Sequence, residues 1–124
     1  PYSGVISIFC ERAQAGLPIS VFGDGEQTRD FFYVADLVRL LLQGLSMAEA
    51  PSGAVNVGLN QATSLNQLLA AIEQVLGGLP AVTHAPARSG DIRHSRADNR
   101  RLLLHYELGG ITPLATGLAA LLGR

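Results

Sequence analysis

Ile19-Ser20-Val21-Phe22-Gly23-Asp24-Gly25 reads as a short strand running into a turn, and the fold can be built outward from it. Glycine takes positive φ without steric cost, so Gly23 and Gly25 suit a tight reversal. Upstream, Val5, Ile6, Ile8, Phe9 and Ala13 form a helical apolar stripe, with Gly16 and Pro18 as stop signals. Downstream, residues 31–34 form a second apolar piece. Val34, Leu37, Val38, Leu41, Leu42 and Leu45 then recur at helical spacing, and residues 46–53, with Pro51, form a loop. Residues 55–57 predict a brief strand ending at Gly58. Ser64 and Gln67 make a capping-box pattern ahead of Leu65, Leu68, Leu69, Ile72, Val75 and Leu76, closed by Gly77 and Gly78. Residues 80–84 predict a further strand. Asp98 is placed to cap a helix carrying Leu102, Leu103 and Tyr106 and ending at Gly109, and residues 114–122 predict a terminal helix. About five helices alternating with short strands give an α/β layer with a small parallel sheet.

Composition narrows the function. With 124 residues, 48% apolar, and a net charge of −1, the chain is one folded domain and not a disordered segment. No apolar run reaches the roughly 20 residues of a membrane span, and the first residues lack the basic start and cleavage site expected of a secretory signal. The single cysteine, Cys10, cannot form an internal disulfide, so a cytoplasmic location is expected. Every one of the nine basic residues is arginine, against ten carboxylates. No basic field exists to bind nucleic acid, and neither a nucleic-acid nor a membrane partner is expected. Without lysine there is no lysine base or Schiff base. A chain opening at Pro1 reads as a piece of a longer protein.

Two aperiodic, charged stretches invite chemistry. In Gly23-Asp24-Gly25-Glu26-Gln27-Thr28-Arg29-Asp30-Phe31 the glycines do not complete a dinucleotide fingerprint, since Thr28 stands where a third would be needed. The stretch is either a turn with a solvated charge pair or the seat of an Arg29 held by Phe31 and Phe32 and aimed at a phosphate. In Arg88-Ser89-Gly90-Asp91-Ile92-Arg93-His94-Ser95, Arg88 and Asp91 either pair with each other or grip a phosphate and a ribose diol. His84, His94 and His105 lack metal-ligand spacing, so no metal site is expected. Tyr2, Tyr33 and Tyr106 begin no Tyr-x-x-x-Lys dyad, and Ser3, Ser7, Ser64 and Ser95 lie in no nucleophile elbow. No catalytic residue is expected. Cys10 reads as core, and Asp36 as a first-turn residue facing the positive end of its helix.

Taken together, Pro1-Tyr2-Ser3-Gly4-Val5-Ile6-Ser7-Ile8-Phe9, the run from Gly23 to Asp36, Asn56-Val57-Gly58, Arg88-Ser89-Gly90-Asp91 and Gly117-Leu118 resemble extended short-chain dehydrogenases/reductases acting on nucleotide sugars. UDP-sugar 4-epimerases, particularly those handling UDP-N-acetylglucosamine, are the nearest branch. The resemblance runs along nearly the whole chain but only with the C-terminal part of such an enzyme. It implies that residues 1–124 are the small substrate-binding lobe. The N-terminal Rossmann lobe, its NAD-binding glycine loop and its Tyr-x-x-x-Lys dyad are absent, so the chain is not catalytic alone and binds no cofactor itself. In the full-length relative NAD takes a hydride from carbon 4, the keto sugar rotates, and the hydride returns to the other face.

Carried over residue by residue, the resemblance lays the uracil on the Ser20 backbone and Phe22 ring and clamps the diphosphate with Arg29 and Arg88. Asp91 receives the ribose hydroxyls. Ser95 sets the depth of the sugar pocket and leaves room for a 2-acetamido group. Asn56 and Gly58 are taken as structural. The implied partners are a UDP-sugar and the missing Rossmann lobe, whose contact face would be left uncovered and open to self-association. A nucleotide-sugar dehydratase or decarboxylase, or a stand-alone non-catalytic binding module, are the alternatives.

Overall fold

A computed structural model describes residues 4–124, so Tyr2 and Ser3 lie outside the described residues. The order is α1 (Val5–Gln14), β1 (Ile19–Phe22), β2 (Thr28–Arg29), α2 (Val34–Ser46), β3 (Thr63–Ser64), α3 (Leu65–Leu76), β4 (Val82–Ala85), α4 (Arg100–His105) and α5 (Leu114–Leu121). This is the expected α/β alternation. The sheet, however, is two separate pairs: β1 lies parallel to β4, with Ile19 opposite Val82, and β2 lies antiparallel to β3. The two-residue strands β2 and β3 are too short to leave a period-2 signal. No described helix is long and apolar enough to cross a membrane.

The core lies where α1, α3 and α5 meet β1. Ile19 and Val21 point into it, while Phe9, Leu68, Ile72 and Leu118 fill it from the helices. Cys10 is buried there as expected, and burial pushes its thiol pKa up. The capping box forms as read: Gln67 N–H donates to Ser64 Oγ at 3.1 Å and Ser64 N–H donates to Gln67 Oε1 at 2.8 Å. Gly77 ends α3 in the left-handed region, φ 79°.

Three expectations are corrected. Residues 55–57 pair with no described strand, since a short apolar run becomes a strand only beside a partner. Asn99, not Asp98, holds the N-cap position of α4. Asp98 instead takes the Arg100 N–H at 3.1 Å and pairs with the Arg100 guanidinium, which holds its carboxyl down at about 2. That helix ends at His105, short of Gly109. The apolar stripe of α2, unlike that of α3, faces outward: Val34, Leu41, Leu42 and Leu45 are exposed, while Asp36 and Leu40 are buried.

Gly58 sits in a knot that the sequence only hinted at. The Asp30 carboxylate accepts from the backbone N–H groups of Leu59 (3.1 Å), Asn60 (3.0 Å) and Ala97 (3.1 Å). Asn99 Nδ2 donates to the Gly58 carbonyl at 3.0 Å. A Cβ on Gly58 would stand 2.4 Å from Ala97 Cβ and 2.8 Å from Asp30 Oδ2. Gly58→Ala is therefore expected to destabilise the chain by about 1–3 kcal/mol in denaturant unfolding. Ala97→Gly in the same background should restore only part of the loss, because it relieves the contact with Ala97 and leaves the one with Asp30 Oδ2.

Candidate nucleotide site

β1 exposes alternate residues to opposite faces, so burial of Ile19 and Val21 turns Ser20 and Phe22 the other way. The loop after β4 folds over that face. Thr28 stitches it down: Thr28 N–H donates to the Arg93 carbonyl at 2.8 Å, and Ser95 N–H donates to the Thr28 carbonyl at 3.1 Å. A bidentate pair from Arg93 to Asp24, at 2.7 and 2.9 Å, closes the same loop against the glycine turn. It holds the Asp24 carboxyl well below the usual carboxylate range.

The result is a hollow of 390 Å³ that Ser20, Phe22, Arg29, Arg88 and Asp91 all line, together with Arg12 and Gln27. Two larger hollows, of 530 and 710 Å³, are lined by no charged side chain. Five of the six residues singled out from sequence thus meet at one place. Ser95 does not; it is exposed beside Thr28 and lines none of this hollow.

The individual arginines differ from expectation. Arg29 is held by the protein and not by Phe31 and Phe32. It donates to the Thr28 carbonyl at 2.8 Å, to the Ile92 carbonyl at 2.6 Å, and to Asp91 Oδ1 at 2.8 Å. Asp91 therefore pairs with Arg29 and not with Arg88, while its N–H closes a turn on the Arg88 carbonyl at 3.2 Å, with Gly90 at φ 81°. Arg88 lies over the Phe22 ring, 3.7 Å from its centroid, and has no carboxylate partner among the described residues.

Gln27 was missed by sequence reading. Buried beneath the turn, it donates from Nε2 to the Phe22 carbonyl at 2.6 Å, and its Oε1 has no partner among the described residues. The glycine turn itself is closed: a Cβ on Gly25 would fall 2.1 Å from Asn66 Oδ1. It offers no open cradle for a dinucleotide pyrophosphate.

The family model of the NAD dependent epimerase/dehydratase family matches residues 2–58. The UDP-glucose 4-epimerase of Mycolicibacterium smegmatis is 38% identical over 102 residues, covering 80% of this chain and 31% of its own. The chain belongs to the NAD-dependent nucleotide-sugar epimerase family. Its fold also matches the UDP-glucose 4-epimerase of Thermotoga maritima, solved with UDP-glucose, at a TM-score of 0.84 and 33% identity over 99% of this chain and 39% of that one. MoeE5, solved with UDP-glucuronic acid and NAD, matches with a TM-score of 0.81 and 33% identity over 96% of this chain and 40% of that one. The chain spans about a third of the length of the curated relative it matches. Of these solved relatives, one holds UDP-glucose and the other UDP-glucuronic acid with NAD.

Proposed function

We propose that residues 1–124 are the UDP-sugar-binding portion of an NAD-dependent nucleoside-diphosphate-sugar 4-epimerase, and that this portion is not catalytic on its own. The observation that carries the reading is the convergence of Ser20, Phe22, Arg29, Arg88 and Asp91 on one hollow. An arginine fork suits a phosphate and a carboxylate suits a diol. Arg88, held over the Phe22 ring and without a carboxylate partner among the described residues, takes a phosphate. Arg29 Nη2 occupies only Oδ1 of Asp91, which leaves Oδ2 for a ribose hydroxyl. Ser20 and Phe22 supply the surface for the base.

NAD supplies hydride chemistry when bound to such enzymes, but the residues of this chain do not fit it. The glycine turn is filled by Asn66, and Asp24 is committed to Arg93. On this reading the cofactor belongs to the other lobe, and the outward stripe of α2 is the face that lobe covers. The same binding end would serve a decarboxylase or dehydratase equally well. Ser95 lies outside the hollow, so the hollow is assigned to the nucleotide and not to the sugar.

The test is an amide-correlation NMR titration of the chain with UDP. Saturable shifts at Phe22, Arg88 and Asp91 are expected, and a spectrum that UDP leaves unchanged overturns the reading. Arg88→Ala should weaken binding by roughly ten- to hundredfold with little effect on stability, as loss of charge-assisted bonds predicts. Arg29→Ala should weaken binding and lower stability together, because three of its contacts are to the protein.

A further inference from the structure

Arg12 was not among the residues singled out from sequence, yet it lines the same hollow from the last turn of α1. Its Nε donates to the Pro18 carbonyl, which pins the guanidinium at the start of β1. Arg88 is pinned at the other end, over Phe22. Pro18, Ser20 and Phe22 follow one another along extended backbone, so the two anchoring residues lie roughly 13 Å apart along the chain, one at each end of β1. That is on the scale of a nucleoside with its diphosphate. Neither Arg12 nor Arg88 has a carboxylate partner among the described residues, whereas Arg29 does.

We infer that Arg12 reads the base: its guanidinium donates to the exocyclic carbonyl oxygen of a uracil-type ring lying against Ser20 and Phe22. The inference rests on the nucleotide reading above. If the phosphates lie at Arg88 and Arg29, the ligand group that reaches Arg12 is the far edge of the base. A guanidinium has only donors. At C4, the edge farthest from the ribose, uracil presents a carbonyl acceptor and cytosine an amino donor, which would face the guanidinium with no bond formed; the C2 carbonyl, common to both bases, does not discriminate. A polar group built to meet an acceptor rejects a ligand that lacks one. Arg12 thus selects uridine over cytidine nucleotides, independently of the diphosphate grip.

Isothermal titration of the full chain with UDP and with CDP tests this. The wild-type chain should bind UDP more tightly than CDP by on the order of tenfold. In Arg12→Leu the ratio should fall to near one, chiefly through weaker UDP binding. Arg12→Gln, whose amide turns to offer either a donor or an acceptor, should also lose the preference while keeping more affinity for both. Unchanged preference in both variants, with UDP still bound, overturns the role of Arg12, as does an equal loss for UDP and CDP. No saturable binding of UDP by the wild-type chain overturns the nucleotide reading itself.

Discussion

Alanine at Ile72 is expected to cost the chain about 3–4 kcal/mol, while alanine at Leu42 should leave stability within about 0.5 kcal/mol of wild type. Both are branched aliphatic residues in the apolar stripe of a long helix. Ile72 is 0% exposed in the cluster built by α1, α3, α5 and β1, and Leu42 is 62% exposed on α2. Deleting the Ile72 side chain removes its transfer energy and leaves a cavity that close-packed neighbours fill only in part. Leu42 loses little, because water already covers most of it. Urea unfolding of the two variants measures the difference directly. Comparable losses would mean that the stripe of α2 is covered in solution, by a second copy of the chain or by another partner. Repeating the Leu42→Ala measurement at several protein concentrations would separate these cases.

That contrast marks where the sequence stops being legible. Helical periodicity reports that a face is apolar, and it did so equally for α2 and α3. It does not report what the face packs against. In α3 the capping box, the stripe and Gly77 all agree, and the helix forms with the bounds its caps dictate. In α2 the inward face carries Asp36, Leu40 and Gly44, and the helix is held mainly by polar bonds. Gln43 and Glu107 exchange two of them, at 2.8 and 2.9 Å, and Arg39 donates to the Leu108 carbonyl at 2.7 Å. Residues 55–57 tell the same story, since a strand needs a neighbour that local pattern cannot name.

The site was legible by residue type and not by geometry. Arginine and aspartate in two aperiodic loops pointed to one hollow, because loops free of packing duty gather polar groups. Which group pairs with which was not readable: Arg29 and Asp91 are 62 positions apart in sequence and only the fold brings them to 2.8 Å. Arg12 and Gln27 escaped notice for a related reason. One sits in an ordinary helix and the other is an uncharged residue between turn and strand, so neither carries a local signal. Their place became visible only once β1 and the loop after β4 enclosed the hollow between them.

Asp36→Ala should be the most damaging single change on the inward face of α2, with a loss of about 3 kcal/mol. Asp36 is 1% exposed; its Oδ2 accepts the Thr112 N–H at 2.9 Å, and its Oδ1 meets Arg39 Nη1 at 3.0 Å. Removing the carboxylate strands the Thr112 N–H and releases Arg39 from α2's tie to residues 108–112. Arg39 is partly exposed, which keeps the loss at the lower end of the range for a broken buried pair. The Thr112 N–H first, then the Thr112 side chain and Arg39, hold the Asp36 carboxyl below its ordinary value against the opposing effect of burial. A depressed carboxylate contributes stability that is fully present above the ordinary value of about 3.9 and is lost as pH falls toward the folded-state value. Asp36→Asn keeps an acceptor for Thr112 and removes the titration. Its deficit against wild type should therefore be constant from pH 7 to about pH 5 and shrink below about pH 4. A deficit that holds steady to pH 3 in urea unfolding would show that the carboxylate is not ionised against Arg39 and that α2 is tied down by its other bonds.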